Sequence, residues 1–528
     1  MWCLLLSDSN AYSFYSRFNW KEISDPIYNY VYFNREIEER IINHILLQRL
    51  RYIMQLQTAH LVYPGAVHTR FQHSLGVMHL AGFMAEDLLN KVLNYYGREY
   101  LDDYSVDSLI QGIRISALLH DIGHACFSHS FEEIVLFNRD SVPVEVCNHE
   151  RIGYKLYELM LKDMVSSFER EYGLSNLDDI VTKILSDEKP REKILQLLKW
   201  VLKDSLYPAD ILDYLLRDSY YTGTREYGYI DYSRLIRNTY PFFENNNVLL
   251  MLDRNAWGVF RAYLYAKANM YEHVYLHSVN RAFDKLLQEI LDLMDQDFRF
   301  IDRVLKILEG EPEDYLVLTD AYMYSTMLVK ALTGKDKLSE LTRKLLVERK
   351  PVWKRLGKEY ILGNYRGVHV VKHILELIFN REFRKSIERK ILENIYDKLK
   401  TRSIDENDLW IDVVNISPVP ETALLPGKSS SKSSEILTLF MCKKTCSRII
   451  KDIEIRLIEE GLPLMSIFRV YIKRDKYNPE YESIVTNIVR NTIEEDLKLM
   501  EYEREYEKII ESIYSSLSIN EYNRRVTK

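Results

Sequence analysis

Residues 117–132 read ALLHDIGHACFSHSFE: three histidines, an aspartate and a glutamate set into an otherwise apolar run. Imidazoles and carboxylates are poor core material unless something pairs with them. His120 and Asp121 are neighbours, and neighbouring side chains on a helix diverge by about 100°. A partner common to both must sit off the helix flank and draw further ligands from elsewhere. Two segments offer them: His73 in HTRFQHSLGVMHL and Asp210 in YPADILDYLLRD, each a polar interruption of an apolar helical pattern. Two imidazoles and two carboxylates suit one divalent transition metal, with positions left open for water and substrate. The alternative is a set of core histidines satisfied by hydrogen bonds, and spacing alone leaves both open.

Helices must position these groups. Apolar residues recur at three- and four-residue spacing over 39–56, 74–93 and 108–120, with further helices expected over 149–162, 191–202 and a long one over 254–294. After about residue 400 the texture changes to β-branched and aromatic runs, DLWIDVVNI (408–416), ILTLFMC (436–442) and IFRVYIKR (467–474), which read as strands. The fold class is therefore mostly α, a helical core with a smaller C-terminal α+β lobe. Expected boundaries are a core over 1–300, a helical extension over 301–400, the α+β lobe over 401–480 and a C-terminal amphipathic helix over 481–528. LLPGKSSSKSSE (424–435) is a loop. Its GKSS is not a phosphate-binding P-loop, because Thr422 stands where the leading glycine belongs.

At 528 residues the chain exceeds a single core, and a net charge of −7 argues against nonspecific duplex binding, leaving nucleic-acid contact open only locally. The five cysteines are irregularly spaced, and CKKTC lacks the second pair a zinc site needs. The first residues, MWCLLLSDSN, are too short an apolar run for a signal or a membrane span, so the expectation is a cytoplasmic chain with no membrane partner.

The segments HTRFQHSLG, ALLHDIGHACFSHSFE and ADILDYLLRD together resemble the H…HD…D pattern of the HD-domain phosphohydrolases. The likeness is strongest to the deoxynucleoside triphosphate triphosphohydrolases, both dGTPase-like members and animal members that add a SAM domain. It runs from SDPIYNYV and LLQRLRYIMQL through VYPGAVHTRFQHSLG, and returns weakly in MYEHVYLHSVNRAFDKLL, LWIDVVNI and FRVYIKR. The resemblance implies a helical HD-domain core, a homo-oligomer, a deoxynucleoside triphosphate substrate and a nucleotide activator.

Carried over, it makes His73, His120, Asp121 and Asp210 the ligands of one divalent transition metal (iron, manganese, nickel, cobalt or zinc), with magnesium accompanying the nucleotide. Arg70 matches a phosphate-contacting arginine whose planar fork suits bidentate binding. His124, His129 and Glu132 match the catalytic cluster, in which a histidine protonates the leaving 5′-oxygen and a carboxylate orients it. His149 matches a further active-site histidine. Gln55, Tyr214 and Asp218 match the groups that read the sugar, and Tyr271, Tyr275 and His277 form a ring-rich wall near sugar and base. His60, His68 and His79 are left as structural.

The pattern departs from the animal members at several positions. Ile211 stands where they carry a phosphate-binding lysine, Lys267 replaces an arginine and Leu276 a glutamine, which leaves base preference open. Gln48 and Arg51 match an activator site that reads guanine, with Lys21, Lys350 and Lys354 as candidate phosphate holders. Asn43 takes the place of that site's aspartate, and an amide cannot accept from both guanine donors as a carboxylate does. Two other functions remain open: a two-metal phosphodiesterase or monophosphatase using His124 and His149 as added ligands, and a nucleotide sensor with weak catalysis.

Overall fold

A computed structural model of the chain describes residues 12–137, 142–203, 205–244, 247–366, 368–402, 404–417, 438–444, 448–456 and 463–497. The first residues, the 424–435 loop and all but the start of the 494–517 tail lie outside these residues. Two compact units emerge, one from Met1–Val352 with Pro418–Glu460, the other from Trp353–Ser417 with Gly461–Lys528. In the larger unit a short helix over Tyr12–Arg17 leads into a hairpin, β1 (Trp20–Asp25) and β2 (Asn29–Asn34), paired antiparallel from Trp20–Asn34 to Asp25–Asn29. Short helices α1 (Glu38–Ile42) and α2 (Ile45–Gln48) follow, then a 3₁₀ turn over Arg49–Tyr52. The single helix expected over 39–56 is thus broken: Asn43 and His44 part it, and the His44 side chain accepts from Leu46 N as a cap.

Two long helices carry the site. In α3 (Arg70–Tyr95), Gln72 Oε1 accepts from Thr69 N at 2.9 Å, a capping contact that fixes the helix start three residues before His73. In α4 (Val106–Leu119), every residue from Ser108 to Leu119 is buried, the signature of a core helix surrounded on all sides. Its polar residues are paired. Arg114 donates to Glu38 at 2.6 and 2.8 Å, and Gln111 donates to the same carboxylate at 2.9 Å. Breaking such a buried pair from one side costs about 3–5 kcal/mol, so Glu38 anchors the hairpin end to the core.

Around them stand α5 (His149–Met160), α6 (Ala209–Thr222), α7 (Trp257–Met270), α8 (Ser278–Phe298) and α9 (Asp320–Thr333). The long helix expected over 254–294 is in fact two, parted by a π turn over Tyr271–Tyr275. Inserting residues into a helix re-aims side chains, and such turns cluster at functional sites. A four-stranded sheet also belongs to this unit: β3 (Thr239–Glu244) and β4 (Asn247–Asp253) pair antiparallel, and β4 runs parallel to β8 (Thr438–Lys444), which pairs with β9 (Ile449–Arg456).

In the second unit, β10 (Met465–Lys473) is the central strand. It pairs antiparallel with β5 (Trp353–Arg355) and β6 (Tyr360–Gly363) along one edge and with β7 (Leu409–Ile416) along the other. Helices α10 (Val368–Phe379), α11 (Arg381–Leu399) and α12 (Tyr481–Asp496) complete it, and α11 buries Ile387, Ile391, Ile395 and Leu399 at four-residue spacing. Among the described residues no helix is long and apolar enough to cross a membrane.

Glu86, on α3, is buried and accepts a hydrogen bond from Tyr15 at 3.0 Å. Burial raises its pKa to about 7, against the lowering effects of the Tyr15 hydroxyl and Arg114 and with the help of Asp87. A carboxyl whose folded pKa is raised contributes stability that is full below its ordinary value and is lost as pH rises through 7. Glu86→Gln should therefore flatten the fall in melting temperature between pH 5.5 and 8 measured by calorimetry, with a limiting difference of about 3 kcal/mol. Equal slopes for both proteins would show that Glu86 does not hold its proton.

Candidate active site

α4 ends at His120, whose Nδ1 bonds Ala117 O at 2.8 Å. A carbonyl only accepts, so Nδ1 carries the proton and Nε2 is offered as a ligand. That Nε2 lies 3.3 Å from His73 Nε2, 3.4 Å from Asp121 Oδ1 and 3.7 Å from Asp210 Oδ1. His73 Nε2 in turn lies 3.0 Å from Asp210 Oδ1 and 3.9 Å from Asp121 Oδ2. Bonds of about 2.1 Å to one divalent ion place adjacent ligand atoms about 3 Å apart, so this donor set fits such an ion. His73 and Asp121 are buried while His120 and Asp210 are partly exposed, which leaves one side of the cluster open.

The electrostatics agree. Burial opposes charge on His73, yet its hydrogen bonds to Asp210 and Asp213 and the field of Asp121 raise its pKa to about 10. Burial likewise opposes ionisation of Asp210, but hydrogen bonds to His120 and His73 hold its carboxyl below the usual range. The cluster demands positive charge, which either a proton or a cation satisfies.

A second layer orients the first. His73 Nδ1 bonds Asp213 Oδ2 at 2.8 Å, and Arg217 holds Asp213 through Nε and Nη2, each at 2.9 Å. Arg217 Nη1 also reaches Asp25 at 2.8 Å, and Tyr28 donates to Asp213 at 2.8 Å, so the β1–β2 turn braces the site. Gly76 makes this possible: a Cβ there would lie 1.9 Å from Asp213 Oδ1 and 2.3 Å from Arg217 Nη2. Asp213 and Arg217 are functional residues the sequence reading missed, although their spacing from Asp210 along α6 marks them as one polar stripe.

Beside the ligands lies a histidine cluster. Glu132 accepts from His149 N at 2.8 Å, pairs with His149 Nδ1 at 2.6 Å and with His129 Nδ1 at 2.8 Å. The His124 ring stacks on His149 with centroids 3.8 Å apart. α5 can approach this closely because Gly123 has no side chain: a Cβ would sit 2.0 Å from His149 O. Burial lowers the pKa of His124 with help from Arg70 and His149, so it stays neutral. For His149, burial is outweighed by Glu132, and the pKa rises. Arg70 donates to Asp121 at 2.6 Å and to Ser128 Oγ at 2.8 Å.

Arg70, His73, Asp121, His124, His129, His149 and Asp210 open on one cavity of about 440 Å³, which is also lined by Gln55, Tyr214, Asp218, Tyr271 and Tyr275, whereas His120 lines a smaller pocket that shares Asp121, His149 and Asp210 with it. Tyr275 and His68 both bond Asp218, each at 2.7 Å, so His68 holds a cavity residue in place. Gln55 Oε1 and His124 Nδ1 are buried without a hydrogen-bond partner among the described residues. Lys267 is not among the lining residues; it is buried with its ammonium 5.8 Å from the Tyr271 ring. His277 also lies off the lining and faces Tyr63. Gln57, Glu150, Asn280 and Asp284 line the cavity and were not anticipated, although Asn280 and Asp284 share one face of α8.

Gln48 Nε2 donates to Ile42 O at 2.7 Å, and Arg51 donates to Gln48 Oε1 at 2.9 Å while covering the Phe71 ring. Asn43 follows α1, Lys21 pairs with Glu39 at 2.6 Å, and Lys350 is exposed. Lys354 belongs to the second unit, where its ammonium lies 3.1 Å from the Tyr477 ring centroid.

Replacing Asp213 by asparagine keeps an acceptor for Arg217 but weakens the brace on His73. Metal titration by calorimetry should show affinity reduced about 10- to 100-fold for Asp213→Asn. Unchanged affinity would mean that the brace does not orient a ligand.

The family model described as HD domain matches residues 70–208. The chain is 28% identical over 57% of its length to the uncharacterised protein YwfO of Bacillus subtilis, and 33% identical over 51% to an uncharacterised protein of Methanocaldococcus jannaschii. It is 24% identical over 75% of its length to human deoxynucleoside triphosphate triphosphohydrolase SAMHD1. It spans 64%, 48% and 62% of these relatives' lengths, less than two thirds of each. Two solved structures share the fold. A hypothetical protein of Aquifex aeolicus has a TM-score of 0.59 at 24% identity over 89% of this chain and 100% of its own. A phosphohydrolase of Bacteroides thetaiotaomicron has a TM-score of 0.56 at 21% identity over 86% and 100%. With the His/Asp cluster in place and these relationships beside it, the chain carries an HD domain over residues 70–208 and is a distant relative of the SAMHD1 triphosphohydrolases and of YwfO.

Proposed function

We propose that the chain hydrolyses a deoxynucleoside triphosphate to deoxynucleoside and inorganic triphosphate. One observation carries this reading: a single cavity of about 440 Å³ is lined both by His73, Asp121 and Asp210 with the neighbouring histidines and by a wall of sugar-sized polar and ring groups. Its volume suits a nucleotide. Distant likeness to the triphosphohydrolases supports the choice of substrate.

In this reading His73, His120, Asp121 and Asp210 hold a divalent ion, which when bound polarises a phosphoryl oxygen and offsets its charge. Arg70 and His149 fix the phosphate chain. Water attacks the α-phosphorus and loses a proton to solvent, the bond to the 5′-oxygen breaks, and His129, oriented by Glu132, donates the proton that the 5′-oxygen takes up and is reprotonated from solvent. Gln55, whose Oε1 lacks a partner among the described residues, accepts from the sugar hydroxyl. Tyr214 lies beneath the ring, where a 2′-hydroxyl would crowd it. Gln48 and Arg51 are the residues proposed to meet an activating nucleotide.

Product analysis tests this. Metal-loaded protein given all four dNTPs, alone and mixed, should release triphosphate and deoxynucleoside, and Asp210→Ala should release neither. Tyr214→Ala should raise kcat/KM for ribonucleotides relative to deoxyribonucleotides by about tenfold. Asp121, His124 and His149 also bring ligand atoms within 4.8 Å of one another, which favours the two-metal phosphodiesterase or phosphatase as the second reading. Two ions per chain, with orthophosphate released from monophosphates, would replace the first reading with that one.

A further inference from the structure

The three peptide carbonyls that follow His120–Asp121 are each bonded from outside their own segment. Arg49 Nη1 donates to Ile122 O at 3.0 Å and to His124 O at 2.9 Å, and Tyr315 donates to Gly123 O at 2.6 Å. The remaining edges of the Arg49 guanidinium reach Leu316 O and Leu318 O, each at 3.3 Å, and the guanidinium lies 5.5 Å from the Tyr315 ring centroid. Asp320, at the start of α9, completes the arrangement by accepting from Phe127 N at 2.7 Å and from Met54 N at 2.9 Å.

Arg49, Tyr315 and Asp320 are all buried, and none lines the cavity. Burying a guanidinium and a carboxylate is costly, and apolar side chains would pack the same space at less expense. What apolar groups cannot do is direct several donors at carbonyls from two segments, which the five-donor fork of arginine allows. The backbone they hold is strained. Phe127 and Ser128 have φ of 55° and 45°, a left-handed pair that non-glycine residues adopt at a cost of about 1–3 kcal/mol each. That bend delivers Ser128 Oγ to Arg70 and sets His124 against His149. On its other side Met54 N fixes the strand-like residue before Gln55.

We propose that Arg49, Tyr315 and Asp320 are positioning residues: they clamp the backbone from Ile122 to Phe127 in the geometry that aims His124 into the cavity and holds Ser128 against Arg70. Arg49 sits in the same turn as Gln48 and Arg51, which bond each other on the outer side. Whatever displaces that turn displaces the clamp and the site with it. The kinetic part of this inference rests on the proposed hydrolysis; the structural part does not.

The test uses full-length, metal-loaded protein with Tyr315→Phe, which removes one hydroxyl and keeps the ring, and Arg49→Lys, which keeps the charge and loses the fork. Hydrogen–deuterium exchange should quicken at least about tenfold in peptides covering 122–128 while α4 stays protected. In the same variants kcat should fall about tenfold or more with KM within about twofold and metal content unchanged. Tyr315→Phe is mild enough to fold if Arg49→Lys does not. Unchanged exchange over 122–128, or a loss of protection spread evenly over the whole unit, would overturn the clamp. A wild-type protein that turns over no dNTP would sink the hydrolase reading, and the exchange result would still decide the clamp.

Discussion

Three carboxylates, Asp121, Asp210 and Asp213, converge on two imidazoles in a place mostly closed to water. Such a concentration of negative charge is tolerated only where positive charge is supplied. The surrounding structure supplies it in layers. Arg70 neutralises Asp121, Arg217 neutralises Asp213, and the two Nε2 atoms are left facing an opening suited to a divalent ion. The β1–β2 hairpin owes its place to the same demand, since Asp25 and Tyr28 complete the shell around Arg217 and Asp213.

Charge alone would not keep the neighbouring histidines in order. Glu132 fixes both His129 and His149 by their Nδ1 atoms, which leaves each Nε2 available toward ligand. Close backbone approach does the rest, because glycine at 123 admits the start of α5 against the turn after Asp121. The polar clamp of Arg49, Tyr315 and Asp320 bears on that same turn from the opposite side. The reactive groups therefore sit on short, bent backbone held from several directions, with long helices supplying rigidity behind them.

Much of this was legible in the chain. Helices α3, α4, α5 and α6 follow apolar periodicity, and His73, His120, Asp121 and Asp210 stand out because each interrupts that periodicity with a group that needs a partner. Strands β7, β8 and β10 were visible as β-branched runs. Other elements left weaker marks. Strands β1 (WKEISD) and β3 (TYPFFE) alternate poorly, and β4 (NVLLMLD) is a short apolar run that periodicity does not tell from helix. The breaks at Asn43–His44 and at the π turn over Tyr271–Tyr275 occur without proline or glycine. Apolar spacing runs on through both places, so periodicity alone does not mark the breaks.

By itself, the sequence determined which chemical groups had to meet a partner, since buried imidazole and carboxylate cannot be left bare, and it determined the helices that carry them. Tertiary structure decided which partners they met. Asp213 and Arg217 read as ordinary members of a helix until α3 and the first hairpin close over them, and His68 reads as structural until it bonds Asp218. The pairing of β4 with β8 joins residues far apart in the chain, and a parallel bridge of this kind leaves no local signature. The physical reason is one of range: apolar periodicity is set by neighbours along the chain, whereas hydrogen bonds and charge compensation in the core depend on groups that only folding brings within 3 Å.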